Sequence, residues 1–179
     1  MYKRKIFKFL IDWSKKPHKE ALLIKGARQV GKTTIVREFG KKNYKNFVEI
    51  NFELDPNAKT AFDGKRDTKT IVGNLSLMGY GPFVEGKTLV FFDEIQSCPN
   101  ARTAIKFLVE EGVYDYIESG SLLGINYKDV SSYPVGFERQ IEMFPMDFEE
   151  FLWARGVGTM AVEGLREAFL NRSPVTDFV

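Results

Sequence analysis

A glycine-rich loop near the start of the chain carries the residue types that bind nucleotide phosphates. It fits the pattern G-x-x-x-x-G-K-[ST] and comprises Gly26, Ala27, Arg28, Gln29, Val30, Gly31, Lys32 and Thr33, with Thr34 directly after it. The glycines permit backbone angles and close approaches that a side chain would block, so successive N–H groups can point at phosphate oxygens. Lys32 is expected to reach the β and γ phosphates, the Thr33 hydroxyl to bind Mg²⁺, and Thr34 to lie near the α phosphate.

Two acidic residues close an apolar segment further along the chain. Asp93 and Glu94 end the stretch "LVFFDE". An acid at the exit of a buried strand lies on the sheet edge where open α/β folds bind ligands. We therefore expect Asp93 to join the Mg²⁺ shell and Glu94 to orient or deprotonate a water in line with the γ phosphate. The pair favours nucleotide hydrolysis; the alternative is that the two acids end a strand and simply face solvent.

The stretch "ESGS" places two hydroxyls at the exit of the following strand. Ser119 or Ser121 is in a position to hydrogen-bond the attacking water or the γ phosphate, and so to report which nucleotide is bound. Serines are also common in turns for local reasons, and that reading stays open for both.

The elements that must position these residues follow from hydrophobic periodicity. An amphipathic helix with Ile6, Phe9, Leu10 and Trp13 on one face begins the chain. Strands are predicted over 21–25, 46–53, 88–94, 114–121 and 139–145, the last after a turn-rich loop through Pro134 and Gly136. Further helices are predicted over 33–39 with a stop near Gly40, from Pro56, over 68–78, from Pro99 to a stop at Gly112, from an Asp147 cap, and over 160–171. Strands alternating with helices predict a doubly wound α/β sheet.

Composition and charge restrict the function classes. The 179 residues are 44% hydrophobic and 28% charged, which suits one globular domain with a real core. The net charge is only +2, but residues 1–45 hold fourteen Lys or Arg against three Asp or Glu. That segment includes the phosphate motif, so the bias can serve a nucleotide, a nucleic acid or simply a solvated face.

The single cysteine and the short apolar runs bear on location. Cys98 can form no internal disulfide, which suits a reducing cytoplasm, and we read it as a packing residue. The longest apolar runs are far short of the roughly 20 residues that span a bilayer. Lys8 and Asp12 interrupt the first apolar segment, which therefore resembles an amphipathic helix more than a signal peptide. Membrane-surface binding is the lesser alternative.

The stretches "GARQVGKTT", "FFDEIQ", "SGSLLG" and "MFPMDFEEFL", in that order and spacing, resemble a family of bacterial and archaeal AAA-type P-loop ATPases. The resemblance covers nearly the whole chain. It implies a P-loop NTPase three-layer sandwich with a five-stranded parallel sheet of order 5-1-4-3-2, helices on both faces, and ATP and Mg²⁺ as ligands. Lys32 and Thr33 match the Walker-A residues, Asp93 and Glu94 the Walker-B pair, and Ser119 the sensor-1 position.

The chain departs from the family pattern in two respects. Many relatives carry Gly-Arg before the last strand, where this sequence has Gly136-Phe137, so an arginine finger acting across a subunit interface would fall to Arg139 or Arg102. The helical lid, the sensor-2 arginine and the C-terminal, nuclease-like domain of the family are also not found. We therefore expect residues 1–179 to be an ATPase core from a longer protein.

Three function hypotheses follow. The first is a Mg-dependent ATPase that acts as a nucleotide-driven switch for a lid, for its own C-terminal domain or for a protein partner, as a monomer or an oligomer. The second is a non-catalytic nucleotide-binding module that gates protein or DNA interactions. The third is a small-molecule phosphotransferase, which the lack of an arginine-rich lid disfavours. The residues alone leave adenine and guanine open, while the resemblance implies ATP.

Overall fold

The computed structural model describes residues 2–121 and 136–174. The predicted loop through Pro134, and the part of "SGSLLG" after Ser121, lie outside the described residues.

A five-stranded parallel sheet forms the centre of the molecule. Its strands are β1 Ala21–Gly26, β2 Asn46–Asn51, β3 Thr88–Asp93, β4 Asp115–Ser121 and β5 Glu138–Glu142. The spatial order is β2-β3-β4-β1-β5, and all four neighbouring pairs are parallel. Read from the other edge this is 5-1-4-3-2, so the predicted fold class and strand order are confirmed.

Helices cover both faces of the sheet. They are α1 Ile6–Ser14, α2 Lys32–Asn43, α3 Thr68–Leu77, α4 Pro99–Glu111, α5 Phe148–Ala154 and α6 Thr159–Asn171, with 3-10 turns at Pro56–Phe62 and Ile95–Ser97. On one face α1 and α2 bury Leu10, Trp13 and Phe39 against β1. On the other, α3 and α4 bury Ile71 and Ile105. The alternating side chains of the strands fill both cores, because each face of the sheet is covered.

Local signals set several helix ends where they were predicted. Asp147 caps α5 by accepting from the Glu150 N–H, and the Glu150 side chain accepts in return from the Asp147 N–H, which completes a capping box. Pro99 begins α4, and Gly112 ends it in the left-handed region at φ 64°.

Helix α2 does not stop near Gly40 as predicted; it continues to Asn43. A Cβ at position 40 would overlap the ring of Phe47, so this glycine makes room for packing between α2 and β2. Gly40 was predicted to end the helix, but its role in the structure is to allow close packing.

Strands β2 and β5 end earlier than predicted, at Asn51 and Glu142. The side-chain oxygen of Asn51 accepts from the N–H groups of Glu53 and Leu54, which turns the chain away from the sheet. Within the described residues, no helix combines the length and the apolar character that crossing a bilayer requires.

Candidate functional site

The glycine-rich loop joins the end of β1 to the start of α2, which is the context its motif requires. A Cβ on Gly26 would overlap the carbonyl oxygen of Met143, so only glycine fits there. Gly31 has φ 97° and precedes the helix. Gln29 adopts φ 65° although it carries a side chain, which is a strained conformation of the kind that collects at functional sites.

The amino group of Lys32 lies inside this loop. The side chain is buried, and its Nζ donates to the carbonyl oxygens of Gly26 at 3.0 Å and Ala27 at 2.8 Å. Both partners are neutral acceptors, and a phosphate oxygen would be a stronger one. Lys32 is therefore held at the loop that its proposed role requires.

Asp93 ends β3 and is 1% exposed, and side chains from the loop and from β4 converge on its carboxylate. The Thr33 hydroxyl lies 3.2 and 3.0 Å from its two carboxylate oxygens, and the Ser119 hydroxyl donates to Oδ1. Parallel register explains the meeting, because Phe92 pairs with Glu118 and so sets Asp93 beside Ser119. Ser121 is buried at the end of β4, opposite Gly26.

Asn51 is a member of this cluster that sequence reasoning missed. Its Nδ2 donates to Asp93 Oδ2 at 2.8 Å, and the two residues are register partners on β2 and β3. The available signal was its position at the carboxyl end of the neighbouring strand. The predicted strand continues to residue 53, which would place Asn51 in its interior and not at its end.

Glu94 follows Asp93 in the left-handed region, with φ 55° and ψ 50°. This backbone conformation turns the chain sharply into the Ile95–Ser97 turn. Gln96 Nε2 donates to Glu94 Oε2 at 2.6 Å and so orients the carboxylate. The conformation is uncommon for a residue other than glycine, and no sequence motif signals it.

An open cavity of about 460 Å³ lies over the loop. Its lining comprises Arg28, Gln29, Gly31, Lys32, Thr33, Thr34, Glu53 and Glu94. The cavity therefore brings the phosphate loop and Glu94 to one space, and adds Glu53, which was not predicted. A more apolar cavity of about 770 Å³ lies between α5 and α6 and touches none of these residues.

The residues present fit a magnesium ion. Mg²⁺ in nucleotide sites binds one or two protein oxygens, keeps several waters and takes the rest from phosphate. The Thr33 hydroxyl, which lines the cavity, and the Asp93 carboxylate behind it supply such oxygens side by side. Across the described residues no group of three or more His, Cys, Asp and Glu side chains could hold a metal ion.

The two arginines considered as fingers differ in availability. Arg102 is 1% exposed, and its guanidinium pairs with Glu118 Oε2 at 3.1 Å and Glu138 Oε2 at 2.9 Å. It is therefore enclosed in the core and does not fit a role at a subunit surface, contrary to that expectation. Arg139 is exposed on β5 and stacks on the ring of Phe9, so it remains the candidate.

Comparisons with known proteins agree with this architecture. A family model described as an AAA domain matches residues 18–152. The chain therefore belongs to the AAA-type P-loop ATPase family. No curated protein matches it.

Among solved structures, this AAA chain is similar to the Orc1 protein of Aeropyrum pernix, determined in complex with DNA. The TM-score is 0.52 at 13% identity, which shows a shared fold. The match covers 92% of this chain but 53% of Orc1, so the chain spans about half the length of that protein.

Proposed function

We propose that this chain binds Mg-ATP and hydrolyses it, and that the nucleotide state switches the position of a lid or partner domain. The observation that carries the proposal is the direct contact between the Thr33 hydroxyl of the loop and the Asp93 carboxylate of β3, beneath a cavity that Lys32 also lines. A plain glycine turn would need neither a buried lysine nor a carboxylate at that place.

The proposed mechanism assigns one task to each group. The loop N–H groups and Lys32 bind the β and γ phosphates, while Thr33 and Asp93 would hold Mg²⁺, which supplies charge neutralisation to the phosphate oxygens. Glu94 accepts the proton of a water whose oxygen attacks the γ phosphorus. The bond between that phosphorus and the bridging oxygen breaks, and ADP leaves. Gln96 holds one oxygen of Glu94, which leaves the other to face the water.

Substitutions in two residues test the proposal, with ATP turnover and nucleotide affinity measured on the same preparations. Glu94→Gln should bind Mg-ATP like the parent and lose about 100-fold or more in turnover, because a general base contributes about that much. Lys32→Ala should weaken Mg-ATP binding at least about tenfold. Glu110→Gln on α4 and Lys41→Ala on α2 are matched controls at exposed positions.

The outcomes of these measurements distinguish an ATPase from a non-catalytic nucleotide-binding module. A Glu94→Gln protein as active as the parent would remove the proposed base. A Lys32→Ala protein with unchanged Mg-ATP affinity would overturn the phosphate site itself. A parent that binds Mg-ATP without turning it over would support the second candidate function, a nucleotide-binding module.

That second candidate is favoured by one observation, the fourteen basic residues within residues 1–45. A nucleotide-gated contact with nucleic acid would use this charge, and its affinity would fall steeply with salt. Fluorescence anisotropy with a labelled DNA duplex, in ADP and in a non-hydrolysable ATP analogue at two salt concentrations, tests it. Equal and negligible binding in both nucleotide states would leave a protein partner or the protein's own further domain as the target of the switch.

A further inference from the structure

Arg4 ties the phosphate loop to two distant segments. Its guanidinium donates from Nε to Glu150 Oε2 at 3.0 Å, from one terminal nitrogen to the Val30 carbonyl at 3.0 Å, and from the other to the Phe144 carbonyl at 2.6 Å. The Arg4 and Glu150 side chains are only 10% and 7% exposed. An exposed arginine with a single carboxylate partner adds little stability, but a mostly covered guanidinium that donates to three acceptors holds its partners in one arrangement.

The contact with Val30 bears directly on phosphate binding. The Val30 carbonyl and the Gly31 N–H belong to the same peptide plane and point in opposite directions. Holding the carbonyl toward Arg4 therefore fixes the direction of the Gly31 N–H, one of the loop donors expected to face phosphate. Gly31 needs such support, because at φ 97° the glycine has wide conformational freedom.

The contact with Glu150 carries the same constraint to α5. Besides Arg4, the Glu150 carboxylate accepts from the Lys5 N–H at 2.7 Å and from the Asp147 N–H at 3.2 Å, and the second of these bonds completes the helix cap. The start of α5 and the loop therefore share one arginine. A displacement of α5 must lengthen its bond to Arg4 or carry the guanidinium away from Val30.

We propose that Arg4 is a positioning residue that presets the phosphate loop and couples its geometry to the position of α5. This rests on the proposed function, since the loop must bind phosphate for the preset to matter. Arg4 itself has no contact with the reacting atoms in this role. It acts through the Val30–Gly31 peptide.

The first experiment measures binding of ADP and of inorganic pyrophosphate by calorimetry, with urea unfolding on the same proteins. Arg4→Met should weaken both ligands about tenfold, because both need the loop donors. Arg4→Lys keeps the charge but lacks the three-way fork, so it should recover only part of the loss. Lys8→Met, an equal charge change at an exposed position on α1, should bind both ligands like the parent.

The second experiment measures the environment of the Val30–Gly31 peptide directly. In ¹H–¹⁵N spectra without ligand, Arg4→Lys should move the Gly31 amide resonance, and Glu150→Gln should move it in the same direction through Arg4. For pyrophosphate affinity, the Glu150→Gln and Arg4→Met effects should be less than additive, because both act through one fork.

Several outcomes would contradict the proposed role of Arg4. Unchanged Gly31 resonances and parental affinities in Arg4→Lys would remove the preset. A change at Gly31 in Arg4→Lys with none in Glu150→Gln, or fully additive effects, would remove the coupling to α5. If the parent binds neither ADP nor pyrophosphate, the proposed function fails, while the Gly31 resonance still decides whether Arg4 holds the loop.

Discussion

Two buried carboxylates lie almost side by side in this sheet and are compensated in different ways. Asp93 ends β3 and Glu118 lies on β4, one residue apart in register, and their exposures are 1% and 0%. Glu118 pairs with the guanidinium of Arg102, which Glu138 of β5 shares. The donors around Asp93 are the neutral groups of Thr33, Asn51 and Ser119.

We propose that this difference distinguishes a structural ion cluster, around Glu118, from a cation site, around Asp93. A buried carboxylate needs charge compensation or a shifted protonation equilibrium. Around Glu118 the compensation comes from within the fold, and Arg102 is enclosed with it. Asp93 contacts Thr33, which lines the open cavity, and under the proposed function a cation that arrives with a nucleotide would bind there.

The largest expected effect is on folding stability, at Arg102. Arg102→Met keeps most of the side-chain volume but leaves Glu118 and Glu138 buried without their shared cation, and should cost about 3–5 kcal/mol of unfolding free energy near pH 8. Urea unfolding followed by circular dichroism measures it. Adding Glu118→Gln and Glu138→Gln should restore more than half, because neutral amides need no cation. A loss below about 1 kcal/mol for Arg102→Met would mean that the cluster is not a charge-compensated unit.

The next effect is on turnover, at Asp93. Asp93→Asn keeps the shape and a carbonyl oxygen for hydrogen bonding but removes the charge that would hold Mg²⁺. We expect ATP turnover to fall about 100-fold, or about 2.7 kcal/mol of activation free energy, with the free energy of unfolding within about 1 kcal/mol of the parent. A magnesium titration of the turnover rate measures it. Glu118→Gln is the matched variant in the ion cluster, and its turnover should stay within about threefold of the parent. Equal losses of turnover in both variants would contradict the proposed difference between the Asp93 site and the Glu118 cluster.

The residues around Asp93 could be predicted from the sequence because they belong to local patterns. The loop glycines, the apolar run ending at Asp93 and the serine at the next strand end are short motifs with a fixed spacing to a strand. Parallel pairing then brings strand ends to one edge, as the register of Asn51 with Asp93 shows. Fold class and strand order followed from the alternation of elements and from the family resemblance.

The features that could not be predicted depend on contacts between residues that are distant in sequence. Arg102 meets partners 16 and 36 positions away, so its helix gave no sign that this charge is enclosed. The position of Asn51 at a strand end could not be recognised, because the alternation of apolar residues continues past the strand end to the buried Phe52. The left-handed conformations of Gln29 and Glu94 are imposed by the surrounding fold, since neither residue type favours that region.

The smallest expected effect is a pH dependence of stability at Glu118. Burial raises the pKa of this carboxyl well above its ordinary value, and the nearby charge of Glu138 raises it further, while Arg102 opposes both. The folded state therefore holds the proton more tightly than the unfolded chain does. The resulting stability is fully present below the unfolded-state pKa and is lost as the pH rises through the folded-state pKa.

Glu118→Gln isolates this contribution, because glutamine resembles the protonated acid but cannot ionise. Between pH 5 and 8 the parent's free energy of unfolding should fall relative to that of Glu118→Gln, so the variant gains on the parent as the pH rises. Urea unfolding at four pH values measures it, with Glu110→Gln at an exposed position as the control that should follow the parent. Superimposable profiles for parent and Glu118→Gln would show that Arg102 keeps Glu118 ionised in the folded state, and would contradict the raised pKa of this carboxyl.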